Sequence, residues 1–455
     1  MSIAALNRPK MGGHSRRHEA SGVLMSGIWA LALGLVSGLA CVGVRLFFRL
    51  LQWIFVQHAG LLSEAAETLS PGRRISTPIL GALCATAVLW AVRRWSLSGR
   101  FEEYVEAVRF HAGHISFTST LWRTLSSAFS VATGAAIGRE GSMIQFAAAT
   151  TSWVGEKSRI SDMPLSRQVA CGVAAAVAAV YQAPVAGIFF AAEIVLADYA
   201  WIDFPPLALS STAGWLVSGA VLGAGPLFVV HETLALSHEV LWGLLLAAVM
   251  GLFAPLYHWL LESLQFSRRW PFALVWSGIA VGLLSLWKPE VWGNGDTALL
   301  ETLGSHATLS IVASILVLRL AATTFCVGTG TVGGVFTPTI FVGGVLGLIA
   351  GHLLHLPAPT LLAIIGMGAF LAAVTHAPLM ATFMVAELTG QWHLLPALLL
   401  CNALAWQISC RLSGRSLYAI ATPRPVDEHA NTGELSLEKA ESGATQLSLE
   451  VAGNR

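Results

Sequence analysis

Apolar stretches recur along the whole chain and are separated by glycine, proline and short polar segments. They are Val23–Val44, Thr77–Val92, Phe204–Val221, Leu241–Leu256, Phe272–Leu286, Ile311–Leu318, Phe341–Leu354, Leu361–Val374 and Leu394–Ile408. Some reach the roughly 20 residues that cross a bilayer as a helix, and several are shorter. Short apolar helices broken by glycine and proline are typical of tilted or re-entrant segments, which protein or a water-filled cavity must shelter. The pattern predicts an all-α polytopic membrane protein.

The composition supports this class and excludes several others. Of 455 residues, 55% are hydrophobic and 11% are charged, and the mean hydropathy is +0.68. A soluble domain carries about 25% charged residues. The net charge of +1 is uninformative about nucleic acid, but the lack of a basic helix face or a base-stacking aromatic pattern predicts no nucleic-acid partner. The six cysteines are scattered without metal-ligand spacing, so we expect buried small hydrophobic residues rather than a metal site or a disulfide framework. No cofactor is implied.

Both ends of the chain differ from the apolar middle. Basic residues before the first apolar run predict a cytoplasmic N-terminal tail over residues 1–21, following the positive-inside bias. Residues 423–455 are rich in Asp, Glu, Ser, Thr and Asn, which predicts a disordered cytoplasmic tail. The membrane domain is expected between them, over residues 22–422.

The chain nearly repeats itself at an offset of 194 residues. When Cys171–Glu193 is laid on Ile365–Glu387 without gaps, 10 of 23 positions are identical, and both segments carry Ala-Pro and a final Glu. The same offset lays Gly134–Ser142 over Gly328–Phe336. Two halves with broken segments in matching places indicate inverted repeats, here about 22–225 and 238–422, with the substrate site where the broken helices meet.

The first candidate site is Gly138-Arg-Glu-Gly-Ser142, which opens a predicted helix over Met143–Val154. Glycines free successive N–H groups, and the helix N-terminus adds about half a positive charge, which together favour an anion. Glu140 would then act as an internal anion at that corner. Alternatively, Glu140 is a first-turn acid that pairs with Arg139 and has no part in transport.

The second candidate is Gly333-Gly-Val-Phe-Thr-Pro338 in the other half. Thr337 and Pro338 suit the cap and first turn of a helix that runs to about Leu353, and the glycines leave the N–H groups of Val335 and Phe336 uncovered. This segment lacks an acid, which suits a receptor for a free anion better than one for a cation. Alternatively, it is a small-residue helix-packing motif.

These motifs resemble those of the CLC chloride channel and transporter family. Gly-Arg-Glu-Gly at 138–141 and Gly-Val-Phe-Thr-Pro at 334–338 are similar to its GREGP and GxFxP motifs, with Ser142 where the family usually has proline. The resemblance spans about residues 25–422, and the segment at 187–195 is most similar to the bacterial ClcB-type branch. It implies about eighteen helices of uneven length in two inverted halves. It also implies a homodimer with one pore per subunit in the bacterial inner membrane.

The resemblance also implies residue roles. Glu140 corresponds to the family's gating glutamate, which competes with chloride at the external site. The residues that would contribute to chloride binding are Arg139, Gly141, Val335, Phe336 and Tyr418, with Ser98 as a further candidate. Val335 and Phe336 would donate backbone N–H groups, and Tyr418 its hydroxyl. For Tyr418, a packing or interfacial tyrosine is the alternative.

Two positions depart from the family pattern. The segment Ser98–Glu102 replaces the family's GSGIP motif, so its central serine is shifted or absent. Proton-coupled members carry a glutamate one position after Glu193, where this chain has Ile194. Glu193 could replace that inner proton stop, but its repeat mate Glu387 favours a shared structural role.

The sequence therefore favours a non-enzymatic, chloride-selective, channel-like anion path with a voltage- or pH-dependent glutamate gate. Proton-coupled exchange of two chlorides for one proton is the alternative, and transport of fluoride or another anion is a weaker one. A membrane hydrolase would need a paired nucleophile and base or a metal cluster, and neither occurs at recognisable spacing.

Overall fold

The chain folds into a bundle of helices. The computed structural model describes residues 13–58, 60–95, 101–158, 160, 162–228, 230, 240–304 and 308–418. Within these ranges there are seventeen α-helices, one π-helix and three short 3-10 helices, and the only β-type pairing is an isolated bridge between two glycines. The prediction of an all-α polytopic fold is confirmed, with seventeen described α-helices where about eighteen were expected.

The described residues of the first half form nine α-helices. They are α1 (Gly13–Val56), α2 (Leu62–Thr68), α3 (Pro71–Arg94), α4 (Tyr104–Phe110), α5 (Phe117–Ala132), α6 (Glu140–Lys157), α7 (Leu165–Tyr181), α8 (Pro184–Phe190) and α9 (Phe204–Leu222). The π-helix, Ala191–Leu196, continues α8. Because α1 begins at Gly13, helix extends into the segment interpreted from sequence as a tail. The predicted C-terminal tail at 423–455 lies outside the described residues.

In the second half, eight α-helices lie within the described ranges. They are α10 (Val240–Ser263), α11 (Ala273–Leu284), α12 (Asp296–Gly304), α13 (Leu309–Thr329), α14 (Phe336–Leu353), α15 (Pro359–Thr375), α16 (Pro378–Thr389) and α17 (Leu395–Leu412). The 3-10 helices are Gln265–Arg269, Pro289–Val291 and Trp392–Leu394.

Long helices surround short buried ones. Six described segments are long and apolar enough to cross a bilayer: Leu24–Val56, Pro71–Arg94, Val240–Arg269, Leu309–Thr329, Phe336–Leu353 and Trp392–Leu412. The shorter α7 and α15 are buried along almost their whole length. A helix that is apolar on all sides belongs in the interior, where neighbouring helices rather than lipid cover it. This placement explains why several apolar stretches in the sequence are too short to span a membrane.

The repeat is in two registers rather than one. Helices α7 and α15 end at Tyr181 and Thr375, at the offset of 194. Helices α6 and α14 instead begin at Glu140 and Phe336, which is an offset of 336 − 140 = 196. The gapless alignment of Gly134–Ser142 on Gly328–Phe336 was therefore wrong by two residues. The loop between α6 and α7 is longer by that amount, since it runs over 158–164 while its counterpart runs over 354–358.

Candidate anion site

Two helix N-termini from opposite halves meet at the centre of the candidate site. Gly138 and Gly334 form an antiparallel bridge in which each N–H donates to the other's carbonyl oxygen, both at 2.7 Å. Helix α6 begins two residues after the first glycine and α14 two residues after the second. The structure thus brings together the two motifs that the sequence singled out. The positive ends of both helix dipoles lie beside one bridge.

The glycines permit this approach because a side chain has no room there. A Cβ atom on Gly141 would lie 2.8 Å from the Cα of Gly334, and one on Gly333 would lie 2.8 Å from the carbonyl oxygen of Gly138. Cβ atoms do not approach backbone atoms so closely without displacement. Gly141, predicted to help bind chloride, therefore acts in this structure as a point of backbone contact between the halves.

Glu140 is the first residue of α6 and is buried. Its Oε1 accepts a hydrogen bond of 2.6 Å from Nδ2 of Asn294, and among the described residues its Oε2 has no hydrogen-bond partner. The carboxylate lies beside a small cavity that Arg45, Arg139 and Asp296 also line. Its hydrogen-bond partner is therefore an amide from the second half, and not Arg139 as the alternative interpretation of the motif expected.

Asn294 lies in a tight loop that sequence reasoning missed. Gly293 and Gly295 on either side have φ values of 80° and 99°, in the region that favours glycine. The fully buried guanidinium of Arg319 donates to the carbonyl oxygens of Glu290, Trp292 and Gly293. The signals present in the sequence were Gly-Asn-Gly between apolar runs and one arginine inside an apolar helix. An arginine at such a position calls for partners nearby.

The second N-terminus lies close to its predicted place. Helix α14 begins at Phe336 and ends at Leu353 as predicted, but its cap is Val335, two residues ahead of the expected Thr337. The first N–H groups of a helix have no partner within the helix. Those of Val335 and Phe336 belong to this end, next to the glycine bridge. The position suits them for the predicted donation to an anion.

Aromatic side chains line the region next to α14. The rings of Tyr181 and Phe190 lie 5.2 and 6.2 Å from that of Phe336, and Tyr418 packs edge-on against Phe190 at 5.7 Å. Tyr418 is partly buried and packs against the main core, next to the start of α14. Ser98, the further candidate, lies outside the described residues.

Glu193 and Glu387 make reciprocal contacts across the two halves. The Glu193 carboxylate accepts from the N–H groups of Leu379 and Met380 at 3.1 and 2.7 Å, at the start of α16. Glu387 accepts from those of Val185 and Ala186 at 3.0 and 2.8 Å, at the start of α8. Each glutamate thus caps a helix of the other half. The geometry matches the shared structural role that the repeat suggested.

Glu193 lies in a π-helix, and the residues around it are also engaged. Its Oε1 accepts a third hydrogen bond, of 2.6 Å, from the hydroxyl of Tyr199. The next residue, Ile194, is buried, and its carbonyl oxygen accepts from Arg109. Nearby, Phe189 and its repeat mate Phe383 stack at 4.7 Å with their planes 3° apart. In the described part of the chain, no group of three or more His, Cys, Asp or Glu side chains is placed to hold a metal ion.

The protein-family model for "Voltage gated chloride channel" matches residues 80–409, which is more than half of the chain. The chain belongs to this family, the CLC family. The voltage-gated ClC-type chloride channel ClcB of Citrobacter koseri is 36% identical over 408 residues, which cover 86% of this chain and 97% of that protein. The protein of the same name from Escherichia coli O157:H7 is 35% identical over 407 residues, covering 86% and 96%. These findings confirm the family resemblance, and the chain is a CLC-family anion channel or transporter.

Solved structures agree on the fold. A slow cyanobacterial Cl⁻/H⁺ antiporter superposes with a TM-score of 0.77 at 20% identity, over 87% of this chain and 97% of that one. A CLC-type fluoride/proton antiporter superposes with a TM-score of 0.70 at 21% identity, over 90% and 98%. At this identity the likeness extends to the fold, which is that of CLC transporters, while the transport mechanism has to be argued from this chain's own residues.

Proposed function

We propose that this CLC-family protein forms a chloride-selective, channel-like path gated by Glu140. The observation that carries the proposal is the Gly138–Gly334 bridge, which joins two helix N-termini beside a buried carboxylate. N–H groups at helix ends attract an anion and repel a cation, and a carboxylate can occupy the same donors. Protonation removes the charge of that carboxylate and with it the competition for the site. Arg139, Val335, Phe336 and the Tyr418 hydroxyl contribute to chloride binding in this proposal.

Passive permeation is favoured over proton-coupled exchange by the surroundings of Glu193. An isolated charge is costly in an apolar interior, so a coupled proton needs ionisable or water-bridged stops along its way. The position expected for the inner stop is Ile194, which carries no proton. Glu193 is next to it, but its two oxygens accept three hydrogen bonds, two of them as a helix cap. Giving up that cap with every transported proton would destabilise the contact between the halves.

The test is chloride efflux from sealed proteoliposomes with simultaneous recording of external pH. We expect chloride to move down its gradient with little or no uphill proton movement, and no measurable movement of potassium. Protein-free liposomes serve as the control. Reproducible proton pumping driven by the chloride gradient would favour the exchange mechanism instead. Parallel assays with fluoride and nitrate define the anion selectivity.

We also propose that the protein acts as a homodimer in the bacterial inner membrane, with both termini in the cytoplasm. The support is membership of the CLC family together with the basic residues near the N-terminus. Chemical cross-linking in membranes before and after detergent extraction measures the oligomeric state. Labelling of single cysteines placed near each end, in intact cells and in inverted vesicles, measures the orientation. If both ends are labelled in intact cells but not in inverted vesicles, the proposed orientation is wrong.

A further inference from the structure

The loop that carries Asn294 is held in place by hydrogen bonds from a buried arginine. Arg319 is fully buried on α13 and donates to three backbone carbonyl oxygens of this loop, those of Glu290, Trp292 and Gly293. Gly295 leaves the space for that guanidinium, since a Cβ there would lie 2.8 Å from its Nη2. Holding a desolvated arginine inside the protein is costly unless its N–H groups are bonded. The loop and the arginine therefore fix one another.

The same loop is also tied to the first half. The N–H of Gly293 donates to the carbonyl oxygen of Gly134 at 3.3 Å. The Trp292 side chain, which is 2% exposed, packs so closely against Gly134 that a Cβ at this glycine would lie 2.5 Å from the indole. Gly134 lies just before the Gly138–Ser142 motif. The loop is thus positioned against the segment that leads to Glu140.

The Asn294 side chain is oriented toward the carboxylate. Its Oδ1 accepts from the N–H of Asp296 at 3.4 Å, which directs Nδ2 to Oε1 of Glu140 at 2.6 Å. A carboxylate offers only acceptors, so the amide nitrogen must be the group that faces it. Both side chains are buried. A short hydrogen bond to a charged acceptor away from water is among the stronger polar contacts in proteins.

This contact holds the carboxylate on Asn294 rather than on the anion donors. Oε1 is bonded to the amide, and Oε2 has no partner among the described residues, so the N–H groups of Val335 and Phe336 are left to an anion. The charged and titratable groups that face Glu140 are Arg139 from its own turn, Arg45 from α1, Asp296 from α12 and Tyr181 from α7. Asn294 belongs to none of these charged or titratable groups, and it is the side chain that makes the hydrogen bond to the carboxylate.

We propose that Asn294 is a positioning residue for the gate, holding the charged Glu140 carboxylate away from the donors of α14 and so keeping the path open to chloride. The inference rests on the proposed gating function of Glu140. In this proposal the charged carboxylate has a second position, hydrogen-bonded to Asn294. The anion site is then free of the carboxylate either when Glu140 is protonated or when it occupies this second position. The balance between the two positions of the carboxylate then sets how strongly chloride flux depends on pH.

The test measures chloride flux against pH for Asn294→Leu in proteoliposomes. A hydrogen bond to a charged group shifts such a balance by roughly tenfold or more. We expect flux at an alkaline pH, where the gate is charged, to fall roughly tenfold. Flux at an acidic pH that neutralises the gate should stay close to wild type, so that the pH dependence becomes steeper. Asn402→Leu is the matched control, because Asn402 is also buried and donates at 2.9 Å to Thr382, in another part of the fold.

The same substitution in a Glu140→Ala background separates positioning from a merely structural effect. We expect no difference between Glu140→Ala and the double variant, because the group that Asn294 holds is gone. An equal fall in both backgrounds, an unchanged pH profile, or a rise in flux at alkaline pH would each overturn the inference. If Asn294→Leu does not fold, Asn294→Ser, whose side chain is too short to reach the carboxylate, is measured in its place.

Failure of the proposed function gives a different result. If Glu140→Ala alone retains the wild-type pH dependence, the gate assignment is wrong and the role of Asn294 fails with it. If Glu140→Ala abolishes the pH dependence but Asn294→Leu changes nothing, the gate stands and only the positioning role is rejected.

Discussion

Replacing Glu193 by glutamine distinguishes a helix cap from a proton stop. The carboxylate accepts from two N–H groups at the start of α16 and from the Tyr199 hydroxyl. Glutamine keeps one acceptor oxygen, but its amide nitrogen would face a backbone N–H, and the negative charge near the helix N-terminus is lost. The substitution therefore removes at least one charge-assisted hydrogen bond and the interaction with the helix dipole.

The magnitude follows from these two losses. A hydrogen bond to a charged group contributes about 1.5–3 kcal/mol, and a charge at a helix end about 0.3–1 kcal/mol. We therefore expect Glu193→Gln to lower the free energy of unfolding by about 2–4 kcal/mol. For a chain of this size that corresponds to a fall in the melting temperature of about 2–5 °C. Thermal unfolding in detergent, followed by tryptophan fluorescence or loss of the monodisperse peak, measures it.

The repeat supplies the control. Glu387 makes the mirror-image contacts with the start of α8, at 3.0 and 2.8 Å, so Glu387→Gln should cost a similar amount. Neither variant should change the ratio of proton to chloride movement. The cap interpretation is refuted if Glu193→Gln abolishes proton pumping without lowering the stability, while Glu387→Gln leaves proton pumping intact. Glu193 is then the inner proton stop.

Three further substitutions test the site. Glu140→Gln should leave chloride flux at neutral pH equal to or above wild type and remove its pH dependence; a well-folded variant with the wild-type pH profile contradicts the gate. Tyr418→Phe should weaken halide binding by about 1.5–3 kcal/mol if the hydroxyl contacts the anion, measured by isothermal titration with chloride and bromide; unchanged affinity places it outside the path. Gly334→Ala should destabilise the protein by about 1–3 kcal/mol, because its Cβ would lie 2.9 Å from the nitrogen of Gly141. Gly304→Ala is the control and should be neutral, since its Cβ meets no atom within 4 Å. Equal melting temperatures of the two variants contradict the close approach.

The sequence predicted the fold class and the meeting of two helix starts because both depend on local signals. Apolar runs, helix-breaking glycines and a repeated Ala-Pro and Glu pattern are visible without knowledge of contacts. The expectation that Glu140 and the start of α14 lie close together follows from the repeat, and the glycine bridge bears it out. The register was off by two residues there because a gapless comparison cannot detect a difference in loop length.

The partner of Glu140 could not be predicted in the same way. Asn294 is 154 residues away in the chain, in a loop whose shape depends on two glycines with positive φ and on Arg319 beneath it. None of these residues is unusual by itself. Their common role appears only when the folded backbone places them together. The role of Glu193 was left open between two interpretations, since a glutamate in an apolar segment looks the same whether it caps a helix or carries a proton.

The Gly138–Gly334 bridge has a consequence for how the protein is made. Its two strands of backbone are 196 residues apart in the chain, so at a synthesis rate of about 5–20 residues per second the second arrives roughly 10–40 s after the first. Until then the backbone N–H and carbonyl of Gly138 lack the partners that the folded protein gives them, and an unpaired backbone group is costly in an apolar surrounding. The first half therefore reaches its final state only after the segment around Gly334 has been made.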